Sequence, residues 1–352
     1  MRRSVQGHRQ AVQPRPDDRP APGCDDGRMP ARAAATLAVL CCLPAAVAQA
    51  EAIVIPPGIA THADGRAPIE SLYRASIGLV EKGWTAEVIA FSAPAGTSTP
   101  LPIVALRSPK TGPAIWILAG IHGEEPAGPN AVAEAIAEIA KLGERHPVVL
   151  LPLLNPHGYA RNWRYLNVAV YSETVDGQSV GDSSHLLPDA ANPHRARADA
   201  PSSPEAGEIT AWILRHQADY PAAVSLDLHE DNLIHEGYVY SQGVAGAADE
   251  LALAAVGLLR ESGVPIKMDG ATRFDEPIVR GIIGPVTDSS IDELMSAREV
   301  VVGGERQPGP AAQTVLVLET PAAALPLAQR VGAHASLLER LATRLLVTDD
   351  GY

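Results

Sequence analysis

Past residue 50 this 352-residue sequence has no cysteine; Cys24, Cys41 and Cys42 all stand before it. A fold built from the remainder therefore holds without disulfides, and the remainder is long enough to bury an ample core without them. Positive charge is scarce as well. Lys and Arg total 28 against 41 Asp and Glu, a formal net charge of −13, and because residues 1–50 hold seven Arg against four Asp, the rest carries about −16. Such a surface excludes nucleic acid and anionic membrane as ready partners. The apolar run from Ala33 to Ala46 is too short for a membrane-spanning helix and is interrupted by Pro44. There is no internal repeat.

What stands at the N-terminal end has the parts of a secretory signal peptide. Met29-Pro-Ala-Arg32 is a short positive segment, the Ala33–Ala46 run follows, and Ala48-Gln-Ala50 is an A-x-A cleavage signal before Glu51. The expectation is translation from Met29, a mature chain from Glu51, and a periplasmic or secreted protein. Leu40 precedes Cys41 where a lipoprotein signal has a small residue, so no membrane anchor is expected after cleavage. The division is thus residues 1–50 as signal and upstream extension, and 51–352 as one domain.

Within that domain, strand and helix patterns alternate. Strands are expected at Ala52–Ile55, Thr85–Ser92, Leu101–Arg107, Ala114–Ala119, Pro147–Leu154, Ala222–His229 and Thr314–Pro321. Helical spacing is expected from Asn130 to Ala140, over Pro204–Leu214, Leu251–Leu259 and Leu325–Leu346, with a short helix from Ile291 to Met295. From Asn155 to Pro204 periodicity gives way to Gly, Pro, Ser, Asp and Asn, and so long an irregular stretch in a compact domain is usually functional. The class is α/β, a single domain with a mixed, mostly parallel sheet and helices on both faces.

Three buried-looking strands end in polar residues. His122 and Glu125 follow the Ala114 strand in H-x-x-E order, His229 ends the second and Glu319 ends the third. In an α/β sheet the carboxyl ends of the strands are where ligands bind. A catalytic zinc takes three ligands of the His/His/Glu kind and keeps one position for water. His122, Glu125 and His229 supply that set and leave Glu319 as a base. For each residue taken singly, a core histidine satisfied by a neighbour or a carboxylate in a salt bridge is the plainer alternative.

The order His122-Gly-Glu-Glu125, Asn155-Pro-His-Gly158, Asp227-Leu-His229 and a strand-end Glu319 resembles the zinc metallocarboxypeptidases of the carboxypeptidase A type, including their bacterial cell-wall-peptide relatives. The resemblance runs from about Pro113 to Pro321. It implies a carboxypeptidase-like fold, bound Zn2+, and hydrolysis of a peptide or related amide. By motif it implies His122, Glu125 and His229 as zinc ligands and Glu319 as the group that activates water. Arg164, six residues after Gly158, stands where the family keeps an oxyanion-steadying arginine, with Arg161 as competitor. Glu124 and Glu230 are the next candidates for the base.

One departure from the family is informative. Its D-x-N-R-x-F-P segment aligns here with Asp182-Ser-Ser-His185-Leu-Leu-Pro188. Asp182 keeps the place of the aspartate that orients a zinc-binding histidine. Ser184 and His185 replace the pair that grips a substrate's terminal carboxylate. Neutral histidine lacks arginine's two-pronged donor fork, so an altered terminal site is expected, with Arg273 or Arg280 as other sources of charge and Tyr238 and Tyr240 as pocket-lining or simply core-facing residues. Two other readings are an N-acyl amino-acid deacylase of the succinylglutamate desuccinylase and aspartoacylase type, and a non-catalytic binding protein on the same fold.

Overall fold

The structure, a computed structural model, describes residues 53–93, 99–166, 182–188 and 203–348, with side chains as far as residue 340. The expected signal segment, the Met29 start and the cleavage point before Glu51 lie outside the described residues.

In chain order the strands are β1 (Thr85–Ser92), β2 (Leu101–Arg107), β3 (Ala114–Ala119), β4 (Val148–Leu151), β5 (Ala222–Asp231), β6 (Tyr238–Ser241), β7 (Asp269–Ala271), β8 (Pro277–Val279), β9 (Ile282–Ile283), β10 (Glu299–Val302), β11 (Glu305–Pro308) and β12 (Thr314–Pro321). Ten of them make one sheet in the order β1-β2-β4-β3-β5-β12-β6-β9-β8-β7, and β10 pairs with β11 in a separate hairpin. The four central strands β4, β3, β5 and β12 run parallel. Antiparallel pairs flank them on both sides, so the sheet is mixed around a parallel centre.

Period-two alternation in the central strands decides what each sheet face carries. Ile115, Ile117, Leu226, Leu228, Leu316 and Leu318 pack under α1 (Ile69–Ile77), α2 (Ala127–Glu134), α3 (Ile136–Arg145), α6 (Glu250–Glu261) and α8 (Leu327–Thr348). Trp116, Leu118, Val149, Leu151 and Val315 face the other way, against α5 (Pro204–His216) and α7 (Ile291–Ser296). The short α4 (Pro156–Arg161) completes the helices named here. Both layers are therefore helix-covered, as the near-continuous apolar strands require. Trp116 of β3 meets Trp212 of α5 edge to face at 6.1 Å and donates its indole N–H to Tyr220 O.

Some elements differ from the sequence pattern for definable reasons. Of the run expected as a strand at Ala52–Ile55, the described residues 53–55 join no ladder; Ile53 and Ile55 pack directly on the first core cluster instead. β4 stops at Leu151 because Pro152 has no N–H to give the ladder. α2 begins at Ala127, with Pro126 at the N-cap position, and the expected single helix is divided from α3 at Ala135. Helix α1 lies in what reads as an opening region of strands, and α4 lies in the irregular stretch after Asn155.

Candidate active site

At the carboxyl ends of β3, β5 and β12 the sheet opens on the face that carries α5 and α7. Parallel register sets Glu319 beside His229, with Asp227 two residues back on the same face of β5. From β3 the chain turns at Gly120, whose φ of +68° is open to glycine, into the segment holding His122 and Glu125.

That segment is pressed against the start of α4. A Cβ on Gly123 would lie 2.1 Å from the backbone of Gly158, so the two glycines of the two motifs exist to let these backbones touch. Asn155 caps α4 by accepting from Gly158 N at 2.9 Å, and its Nδ2 donates to Arg164 O at 3.0 Å. Gly123 N donates to the same carbonyl. The Asn-Pro-x-Gly motif thus fixes the backbone of Arg164 against the loop that carries His122.

The three candidate ligands converge. His122 Nδ1 lies 2.9 Å from Glu125 Oε1, and His229 Nδ1 lies 2.9 Å from Glu125 Oε2. One ligand atom from each of the three fits within 4.8 Å of the others, and all three residues are buried. Two histidines presenting the same ring nitrogen to one carboxylate form a donor set suited to a divalent cation of zinc's chemistry. On the far side of its ring, His122 Nε2 faces Asp182 at 3.2 and 3.3 Å. Arg164 Nη1 reaches Glu124 Oε1 at 3.0 Å and Glu125 Oε1 at 2.8 Å, whereas Arg161 is exposed at the end of α4.

Ionisable groups crowd the buried site and set one another's pKa values. Burial disfavours a charged His122 and Arg164 adds to that, but Glu125 and Asp182 outweigh both and raise its pKa to about 9. Burial works against the Glu125 carboxylate, which His122 and His229 nevertheless hold well below the usual range. Glu319 is pushed up to about 7, chiefly by burial and further by Glu125 and Asp231, with His229 and Arg164 opposing. Its Oε2 takes no hydrogen bond from a described residue. Glu124 and Glu230 are otherwise engaged. Glu230 accepts from Ala127 N at the start of α2 at 2.7 Å and is ion-paired with Arg330 of α8, while Glu124 pairs with Arg164.

His185 stands apart from the expectation that it meets substrate. It is buried, with Nδ1 2.9 Å from Ser183 Oγ and Nε2 2.9 Å from Glu293 Oε1 of α7. Both ring nitrogens are spent inside the protein, so the ring ties the 182–188 segment to α7 and offers no free edge to a ligand. Ser184 donates its backbone N–H to Thr210 Oγ1, and its hydroxyl is enclosed. Arg273 pairs with Asp231 at 2.5 Å, and Arg280 donates to Ala247 O. A cavity of about 270 Å3 is lined by Ile234, His235, Tyr238, Lys267, Thr272 and Arg273 together with Glu236. Tyr238 is the β6 register partner of Glu319, and Tyr240 gives its hydroxyl to Glu276.

Two contributors had no local signal in the sequence. Arg66 is buried and donates to Gly123 O at 3.0 Å, to Tyr159 O and to Asn162 Oδ1, which locks the His122 loop to α4 from behind. His334 of α8 lies 3.2 Å from the His229 carbonyl, and burial lowers its pKa to about 4, so it sits there as a neutral ring.

The family model of zinc carboxypeptidases matches residues 74–258, a stretch that contains His122, Glu125, Arg164, Asp182 and His229 and stops short of Glu319. Among solved structures, the chain is similar to a "putative metallopeptidase" from Shewanella baltica, with 23% identity and a TM-score of 0.60 over 78% of this chain and 92% of that one. A second, so described, from Shewanella amazonensis gives 24% identity and a TM-score of 0.59 over 79% and 92%. At these identities the likeness concerns the fold. No curated protein matches the sequence.

Proposed function

Since this chain belongs to the zinc carboxypeptidase family, we propose that it is a zinc-dependent hydrolase of a peptide or related amide bond, with His122, Glu125 and His229 holding the metal. The convergence of His122 Nδ1, His229 Nδ1 and the Glu125 carboxylate, with Glu319 in register beside His229, carries this reading. Zinc, when bound, supplies Lewis acidity to a carbonyl and draws the pKa of a water molecule towards neutrality.

The chain's own groups do the rest. Glu319, one oxygen of which takes no hydrogen bond from a described residue, takes the proton of the attacking water and returns it to the leaving nitrogen. Arg164 adds fixed positive charge where the carbonyl oxygen becomes negative. Asp182 accepts from His122 Nε2 and so keeps Nδ1 available as a ligand. Recognition of the substrate's end passes from the segment around His185 to the cavity beside Tyr238, where Lys267 and Arg273 are the cationic groups. On the strength of residues 29–50 we further propose that the enzyme is exported and works outside the cytoplasm as a chain beginning near Glu51.

Metal analysis of the purified protein, combined with a hydrolysis screen over matched free-acid and amide-blocked peptides and N-acyl amino acids, tests the proposal. Zinc near one equivalent with cleavage of peptides supports it. Cleavage of N-acyl amino acids alone would favour a deacylase, and zinc binding with no turnover would favour a binding protein.

A further inference from the structure

Resting on the reading of His229 as a metal ligand, we infer that Asp227 is a positioning residue for it, a buried carboxylate that fixes which nitrogen of the ring the metal meets. The two histidines are placed alike, although only His122 has an aligned hydrogen bond to its aspartate. Each turns Nδ1 to Glu125 and Nε2 to a buried aspartate: Asp182 for His122 and Asp227 for His229, at 3.2 Å in both cases. The aspartate of His122 comes from a separate segment of chain. That of His229 is carried on the same strand.

Asp-x-His on a strand puts both side chains on one face, about two residue rises apart, so the pair is set as soon as β5 pairs with β3 and β12. Asp227 is fully enclosed, and neither of its oxygens takes an aligned hydrogen bond from a described residue. Leaving a buried carboxylate that way is costly. The nearest donor is a proton on His229 Nε2, which lies 3.2 Å from Asp227 Oδ2 and likewise has no aligned partner among the described residues; held there, the proton leaves the Nδ1 lone pair to the metal. The opposite tautomer would put N–H towards the cation and lose the ligand.

Asp292 of α7 also approaches: its carboxylate, that of Asp227 and a His229 nitrogen lie within 4.8 Å of one another. Two carboxylates and an imidazole invite a second cation as the competing explanation. A neutral imidazole already coordinating through Nδ1 has a proton and no lone pair on Nε2, so a second ion would need the ring to become a bridging anion. The positioning role asks for nothing beyond the ordinary neutral ring.

The experiment measures zinc affinity by titrating metal-free protein against a chromophoric chelator, in wild type, Asp227→Asn and Asp227→Ala, with His229→Ala as reference and thermal unfolding recorded for each. The visible spectrum of the cobalt-substituted forms reports ligand geometry independently of turnover. Loss of a group of this kind costs roughly 10- to 100-fold in metal affinity. Asp227→Ala should show that loss with an altered cobalt spectrum, and Asp227→Asn, which keeps an acceptor oxygen and the volume, should recover part of it. Equal affinities and unchanged spectra in all three, with His229→Ala metal-free, would overturn this inference and leave the proposed function standing. Two equivalents in wild type falling to one in Asp227→Ala would overturn it in favour of the second cation. Wild type that binds no zinc would overturn both.

Discussion

Replacing Glu319 by Gln separates its role in chemistry from its cost to the fold. The amide has the same shape and cannot accept the water's proton, so kcat should fall about 10²- to 10⁴-fold with metal content unchanged. The same substitution removes a carboxyl whose pKa stands near 7 in the metal-free fold against about 4.3 in an unfolded chain. An acid with a raised folded pKa binds more protons folded than unfolded between those values. Metal-free stability therefore declines as pH rises from about 4 to 7, and the cost is fully present above that window. At about 1.36 kcal/mol per unit, wild type carries about 3.5 kcal/mol of this cost at pH 8 and about 1 at pH 5. Relative to wild type, Glu319→Gln should thus gain about 2.5 kcal/mol between pH 5 and pH 8, a difference in which any fixed cost of the amide cancels. Urea unfolding of both proteins with chelator at the two pH values measures it, alongside peptide hydrolysis by the metal-loaded forms. A ΔΔG that does not move with pH would refute the buried-charge argument, and near wild-type kcat would remove Glu319 as the base. Glu124 and Glu230 are poor replacements, being held by Arg164 and Arg330.

Either His122→Ala or His229→Ala should strip zinc from the purified protein, read by metal analysis; full occupancy in both would end the assignment. His122, raised to about 9, works in the opposite sense from Glu319: its contribution to the metal-free fold is complete below about pH 6.5 and fades as pH climbs through 9, by about 3 kcal/mol, so thermal unfolding with chelator should show a falling Tm over that window. His185→Ala should lower stability by about 3 kcal/mol, since Glu293 stays buried with a partner removed, while leaving the ratio of kcat/KM for free-acid and amide substrates unchanged; a changed ratio would return His185 to the substrate. Gly123→Ala should cost both stability and zinc, because its Cβ would overlap the Gly158 backbone, and crystallography of a stable variant with the loop unmoved would contradict that.

Much of this arrangement was legible beforehand because it rests on local patterns. β1, β2 and β12 carry alternation or continuous apolar runs bounded by turn residues, and their expected limits coincide with those observed. His122, Glu125, His229 and Glu319 were legible as strand-end residues, which needs only the strand pattern and a polar residue after it. Helix α1 was hidden although Ile69, Leu72, Tyr73 and Ser76 recur at helical spacing, because it is short and the surrounding segment is rich in turn formers. Strands β7 to β9 are two or three residues long and exist through pairing with one another and, by way of β9, with β6, a tertiary cause. The place of His185 was not legible for the same reason. Its partner Glu293 is more than a hundred residues away, and a motif alignment fixes where a residue sits along the chain without fixing which way its ring faces.

The position of β12 bears on when the candidate site can come together. Formed by residues 314–321 of 352, it lies between β5 and β6 in the middle of the sheet and brings Glu319 to its place beside His229. Until that segment has been made, β5 and β6 present unsatisfied edges to whatever is near, and Glu319 is absent from the site. The centre of the sheet closes only once that segment is present, so the candidate site cannot assemble before β12 takes its place.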